Sequence, residues 1–198
     1  MKHLLIAFLA VVASAHADVT IGKPAPDFTL AACNGNTVSL EAQKGKVVVL
    51  EWINHGCPFV AKHYDSGNMQ KLQKEATDKG VVWLSICSSA PGKPGHMSAA
   101  AAAKSCADNG AAATAYLLDE EGTVGKLYGA KRTPEMYVID ANGVLVYHGA
   151  IDDKSSTNSK DIDGAKNYVM AAANEVLTGN PVTIPTTSAY GCGIKYKD

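Results

Sequence analysis

The residue with the most chemistry in its surroundings is Cys57. It follows the apolar run VVVLEWI (47–53) and the turn Asn54-His55-Gly56, and it precedes Pro58, a residue suited to the first position of a helix. A thiol between a strand end and a helix start faces unpaired backbone N–H groups and the positive end of the helix dipole. Both favour thiolate over thiol, and the thiolate is the nucleophile. The plainer alternative is a small buried hydrophobe that happens to precede a helix. Glu51 shares one strand face with Val47, Val49 and Ile53. Buried there, a lone carboxylate would be held neutral and could exchange a proton with thiol chemistry; otherwise it points to solvent at a strand end. His55 and His63 flank Cys57, and the three together offer soft and borderline ligands for copper or zinc. They are equally well read as surface or loop histidines, and neither a metal nor a cofactor is expected.

Exchange chemistry needs a second thiol to release the mixed disulfide. Val60 stands where a local partner would be in a C-x-x-C loop, so a distant cysteine must serve. The chain has five cysteines, Cys33, Cys57, Cys87, Cys106 and Cys192, and no C-x-x-C spacing that would suggest a zinc knuckle. Five is odd, so at least one thiol stays free or joins a partner transiently. Cys87 ends one strand and Cys106 lies in the next helix; they form either a structural bridge or two buried free thiols. Cys33 is then the odd one out, an unpaired surface thiol.

The elements that must position these residues follow from hydrophobic period and turn residues. Two prolines in KPAPDFTL forbid helix, and Asn34-Gly35-Asn36 turns the chain into Thr37 to Leu40, a hairpin with Cys33 at its tip. Strands are expected at Val47 to Ile53, Val81 to Cys87, Ala115 to Asp119, Glu135 to Asp140 and Val144 to Gly149. Helices are expected from Phe59 to Lys79, about His96 to Asp108, Glu120 to Gly129 and about Asp163 to Leu177. Strand, helix, strand in that order implies a right-handed parallel crossover. Asp152 to Asp163 reads as a solvated mobile loop. Trp52 and Phe59 read as core and as the frame of the Cys57 loop.

The first seventeen residues, with a basic start, an apolar stretch and Ala15-His16-Ala17, read as a secretory signal cut before Asp18. That stretch is too short to span a bilayer, and no second span follows. An exported protein without stable membrane insertion is expected, in an oxidising compartment, secreted or periplasmic. Residues 18–180 make one domain and 181–198 a tail carrying Cys192. The formal net charge of −1, with no basic patch, gives nucleic-acid binding no support.

LEWINHGCPFVAKH, Thr133-Pro134 before a hairpin, and the order hairpin, β-α-β, β-β-α together resemble the thioredoxin superfamily. KPAPDFTL with its glycine turn, AYLLDEEGTVGKLYGAKRTPEMYVIDANGVLVYHGAIDD and the ending GCGIKY resemble a peroxiredoxin-like branch of the alkyl hydroperoxide reductase and thiol-specific antioxidant (redoxin) family. The resemblance implies an α/β fold, a thioredoxin-like three-layer α/β/α sandwich with an N-terminal β-hairpin extension and a C-terminal tail. It implies that Pro134 is a cis-proline set against Cys57, with the Thr133 backbone turned to pair an extended peptide. It also implies that Cys192, between glycines in a flexible tail, resolves Cys57; a permanent Cys57–Cys192 bridge is the alternative. Two positions depart from peroxiredoxins: Asn54 stands where they place threonine and Leu50 where they place proline, and Arg132 is not at the spacing of their activating arginine. A thiol:disulfide oxidoreductase acting on a thiol- or disulfide-bearing protein or small thiol is therefore expected ahead of a thiol peroxidase, with a non-catalytic metal- or partner-binding module as the third reading.

Overall fold

The computed structural model describes residues 19–198, so the expected secretory segment and its cut lie outside the described residues. The chain forms β1 (Thr29–Ala32), β2 (Thr37–Ser39), β3 (Val48–Trp52), α1 (Pro58–Asp65), α2 (Asn68–Asp78), β4 (Val82–Cys87), α3 (Ala99–Asp108) and β5 (Ala115–Leu118). It continues with α4 (Thr123–Leu127), β6 (Arg132–Thr133), β7 (Glu135–Ile139), β8 (Leu145–Gly149), α5 (Tyr168–Leu177) and β9 (Cys192–Gly193). Seven strands make one sheet in the order β2-β1-β5-β4-β3-β7-β8, and β6 and β9 form a separate two-stranded ribbon. β3, β4 and β5 run parallel, β7 and β8 return antiparallel, and the N-terminal hairpin adds to the β5 edge antiparallel.

The two faces of β3 and β4 explain the layers. Val48, Leu50, Trp52, Val82, Leu84 and Ile86 point to one core, closed by Phe28, Val124 and Tyr128 from the N-terminal segment and α4. Val49, Ile53 and Trp83 point to the other, closed by Val60, Met69, Leu72, Ala102, Val169 and Ala173 from α1, α2, α3 and α5. With both faces covered, the central strands are apolar but for Glu51 and Ser85, close to the pattern of a buried parallel sheet. This is the expected α/β sandwich.

Three expectations change. The helix expected over Phe59–Lys79 is two helices. Ser66 Oγ bonds back to the Lys62 carbonyl at 2.7 Å, and Gly67 takes a left-handed φ of 75° that few other residues adopt, so the ladder stops and restarts. The tail is packed rather than flexible: the Ile194 N–H bonds the Lys131 carbonyl, Tyr196 Oη donates to the Ala130 carbonyl at 2.7 Å, and the Ala90 N–H bonds the Lys195 carbonyl. The stretch 152–163 is not uniformly solvated, since Asp152 is buried and the chain makes a short 3-10 turn at Ser159–Ile162.

Glu51 does not point to solvent. It is fully buried on the α1/α2 face, where Trp83 Nε1 and Ser85 Oγ each donate to its carboxyl at 2.8 Å, Tyr64 Oη at 3.1 Å and Gln73 Nε2 at 3.2 Å. Burial pushes its pKa up, against the lowering by these four bonds. Trp83, Ser85, Tyr64 and Gln73 come from β4, α1 and α2, so one side chain gathers donors from three elements. Glu51→Ala leaves those donors buried without an acceptor and is expected to cost about 3 kcal/mol of unfolding free energy, read from urea denaturation.

Candidate active site

Cys57 is the N-cap of α1, with extended φ/ψ of −87° and 124°, and its carbonyl accepts the first helical bonds from Val60 and Ala61. Asn54 shapes the turn before it. The Asn54 carbonyl accepts the Cys57 N–H at 2.9 Å, its Oδ1 accepts the Gly56 N–H at 2.8 Å, and its Nδ2 donates to the Pro94 carbonyl. Asn54 thus fixes the loop from the position where peroxiredoxins carry threonine.

Across from Cys57, the Thr133–Pro134 peptide is cis. The Cys57 thiol donates to the Thr133 carbonyl at 3.1 Å. Glu135, next in sequence, is buried and holds this segment: its Oε2 accepts the backbone N–H groups of Lys131 at 2.7 Å and Arg132 at 2.8 Å. Sequence reasoning missed Glu135, although a carboxylate next to a proline in an otherwise apolar strand is a visible signal.

The tail arrives on this same segment. β9 pairs antiparallel with β6, Thr133 opposite Cys192 and Arg132 opposite Gly193. This sets Cys192 beside Cys57, close enough for each thiol to shift the ionisation of the other. Gly191 permits the approach, because with φ 125° a Cβ there would overlap the Thr133 carbonyl. Arg132 turns its Nη1 to the Gly191 carbonyl at 3.5 Å, beside Cys192.

The electrostatics divide the two thiols. Burial opposes ionisation of Cys57 most strongly, but Cys192, the Thr133 side chain (not its carbonyl, which accepts the thiol) and the Val60 N–H together bring it below the ordinary cysteine value. Cys192 is pushed up to about 11, first by burial and then by Cys57, against the pull of Lys195 and Arg132. Cys57 is therefore the thiol that ionises and Cys192 the one that keeps its proton and donates. The expectation of an approachable sulfur needs correction: Cys57 is 1% exposed, because Thr133 and the tail strand close over it.

A buried cluster holds the tail two residues upstream. Tyr190 Oη donates to Asp152 and lies 3.5 Å from His63 Nε2, its ring meets Phe59 at 5.8 Å, and Lys62 stands over it. Asp152 Oδ2 is 3.8 Å from both Lys62 Nζ and His63 Nε2, and Lys62 also donates to the Lys154 carbonyl at 2.9 Å. Four residues downstream Tyr196 seats against Gly122 and Gly125. Cys192 hangs between two tyrosine anchors.

The other expected site residues are elsewhere. The hydrogen bonds of Glu51 go to Tyr64, Gln73, Trp83 and Ser85, not to Cys57. The His63 ring nitrogens face Asn68 at 2.8 Å and Tyr190, while the His55 ring packs against Tyr64 and Tyr116. Cys57, His55 and His63 do not converge, and among the described residues no group of three or more His, Cys, Asp or Glu is arranged to hold a metal. The neighbour of Cys106 is Cys33 rather than Cys87, whose thiol donates to the Gly95 carbonyl at 3.4 Å. Cys33 is half-buried, not a free surface thiol, because β1 lies on β5 and brings the hairpin tip under α3.

The family profile described as Redoxin matches residues 20–174. A protein of Geobacillus kaustophilus, described as an uncharacterized conserved protein, is 30% identical; the match covers 91% of this chain and 94% of that one, with a TM-score of 0.79. A Chlorobium tepidum structure, proposed to be the thiol:disulfide interchange protein DsbE, is 26% identical over 66% of this chain and 85% of its own, with a TM-score of 0.52. The thioredoxin-like protein YneN of Bacillus subtilis (strain 168) is 28% identical over 72% of this chain and 79% of its own length.

Burial lowers the pKa of His63 to about 4, against the pull of Asp152, so it is neutral in the folded state at neutral pH. The unfolded chain, with an ordinary histidine value near 6.5, binds the proton first as pH falls. Stability from this residue is therefore fully present above about pH 6.5 and lost progressively down to about pH 4, on the order of 3 kcal/mol in all. Denaturation midpoints of wild type should fall over that window, and those of His63→Gln should fall less steeply.

Proposed function

The chain belongs to the redoxin family, and on that premise we propose that it is an exported thiol:disulfide oxidoreductase in which Cys57 attacks and Cys192 resolves. The observation that carries this reading is the placement of Cys192 opposite Thr133, the residue whose carbonyl accepts the Cys57 thiol. In the reducing direction the Cys57 thiolate attacks one sulfur of a partner disulfide. A Cys57–partner bond forms, the partner S–S bond breaks, and one partner thiolate leaves. Cys192 then loses its proton to that thiolate or to solvent and attacks the Cys57 sulfur, forming Cys57–Cys192 and releasing the second partner thiolate. Two electrons pass from the protein dithiol to the partner; the oxidising direction is the same path reversed.

Thr133 sets who can enter. Its backbone is where an extended peptide would add as a strand, and the chain's own residues Cys192 and Gly193 occupy that edge. With Cys57 covered by that strand, any partner, a small disulfide included, must displace β9 to reach the sulfur. The description of the Chlorobium relative as an interchange protein supports the same reaction class. Arg132 is drawn to the Gly191 carbonyl rather than to Cys57, which favours dithiol exchange over peroxide reduction. Export rests on the residues 1–17 pattern.

Cys57→Ser is expected to slow oxidation of Cys192 by oxidised glutathione roughly 100-fold or more, read by peptide mapping, whereas Cys192→Ser should undergo one attack and accumulate a glutathione adduct on Cys57. Oxidation of Cys192 at the wild-type rate in Cys57→Ser would sink the assignment, and peroxide consumption without disulfide exchange would turn it into a peroxidase. In cells, the extracytoplasmic protein should begin at Asp18 when its N-terminus is sequenced.

A further inference from the structure

Two residues before Cys57, His55 turns its ring into a separate cavity of about 140 Å³, lined also by Cys33, Tyr64, Ser85, Cys106 and Tyr116. His55 Nε2 has no hydrogen-bond partner among the described residues, so this cavity holds polar groups that the Cys57 chemistry does not use. We propose that Cys33 and Cys106 are a second dithiol centre, which closes to a disulfide by exchange with a low-molecular-weight disulfide and fastens the β1–β2 turn to α3.

The fold brings the two thiols together from 73 residues apart (106 − 33). β1 pairs with β5 through Ala31 and Ala32, and the Cys33 N–H then donates to the Tyr116 carbonyl of β5 at 2.9 Å, which fixes the turn. α3 packs on the same strand, and Cys106 in its last turns lines the same cavity as Cys33. Both are half-buried, so a small disulfide reaches them, whereas Cys87 is 4% exposed with its thiol on Gly95. Cysteine parity fits: with Cys57–Cys192 and Cys33–Cys106 closed, Cys87 is the single thiol left over.

Burial, and then the adjoining Cys33, push Cys106 up to about 12, so Cys33 makes the first attack. The Cys33 thiolate takes one sulfur of the disulfide RSSR and expels RS⁻. Cys106 gives its proton to a thiolate or to solvent and attacks the Cys33 sulfur, expelling the second RS⁻. Two protein thiols and RSSR become one protein disulfide and two RSH. The two electrons go to RSSR and the two thiol protons to the released thiols.

The test uses the full chain, reduced and then equilibrated with oxidised glutathione, alkylated and mapped by mass spectrometry. The expected result is a peptide pair joined through Cys33 and Cys106, in wild type and in Cys57→Ser alike. In oxidised wild type one thiol, Cys87, should titrate only after denaturation. Closing this long loop restricts the unfolded chain, so oxidised wild type should melt on the order of 5–10 °C above oxidised Cys33→Ser, a gap that vanishes when both are reduced. A Cys87–Cys106 link, glutathione retained on Cys33 or Cys106, or both thiols alkylated while Cys57–Cys192 has closed would each overturn the proposal. Because Cys57→Ser lacks the exchange site proposed above, its map decides this centre independently of that one.

Discussion

One stretch of backbone, Arg132–Thr133, is claimed from two directions. Its Thr133 carbonyl takes the Cys57 thiol, and its edge takes the strand that carries Cys192. These contacts are mutually dependent. If the segment moved, the thiol would lose its acceptor and the tail its register together. Glu135 prevents that by holding the Lys131 and Arg132 N–H groups from within the protein, so the site is supported from behind by a buried carboxylate.

The two paired residues of β9 and the backbone bonds of Ile194 and Lys195 are too few to hold a chain end in place, so side chains add the rest. The weight falls on Tyr190, with Asp152, His63 and Lys62, and on Tyr196, seated where Gly122 and Gly125 leave room for a ring. Burying Lys62 and Asp152 costs desolvation that their 3.8 Å separation offsets only in part. Additional bonds to Lys154 and Tyr190 complete the compensation. Since α1 is capped by Cys57 and carries Lys62 and His63, the helix that favours the Cys57 thiolate is also the helix that anchors the tail.

On the other side of the turn, Glu51 organises β4, α1 and α2 and borders the cavity where Cys33 and Cys106 meet, through Tyr64 and Ser85. The Asn54–Cys57 turn thus separates two pairs of thiols, with Cys57 facing Thr133 and His55 facing Tyr116.

Local signals in the sequence determined a good deal. The near-continuous apolar runs VVVLEWI and VVWLSIC gave strands covered on both faces, Asn34-Gly35-Asn36 gave the hairpin, and Cys57-Pro58 gave a thiol at a helix start, because each depends on composition or turn chemistry within a few residues. The break at Ser66-Gly67 was legible too, but the helical spacing on either side of it masked the glycine. What only the tertiary structure decided is who meets whom. Cys57 and Thr133 lie 76 positions apart, His63 and Tyr190 lie 127 apart, and Cys106 faces Cys33 because β1 and α3 share β5. No periodicity encodes such partners: they are set by which apolar faces close on one another, and the polar groups then bond to whatever that closure brings within reach.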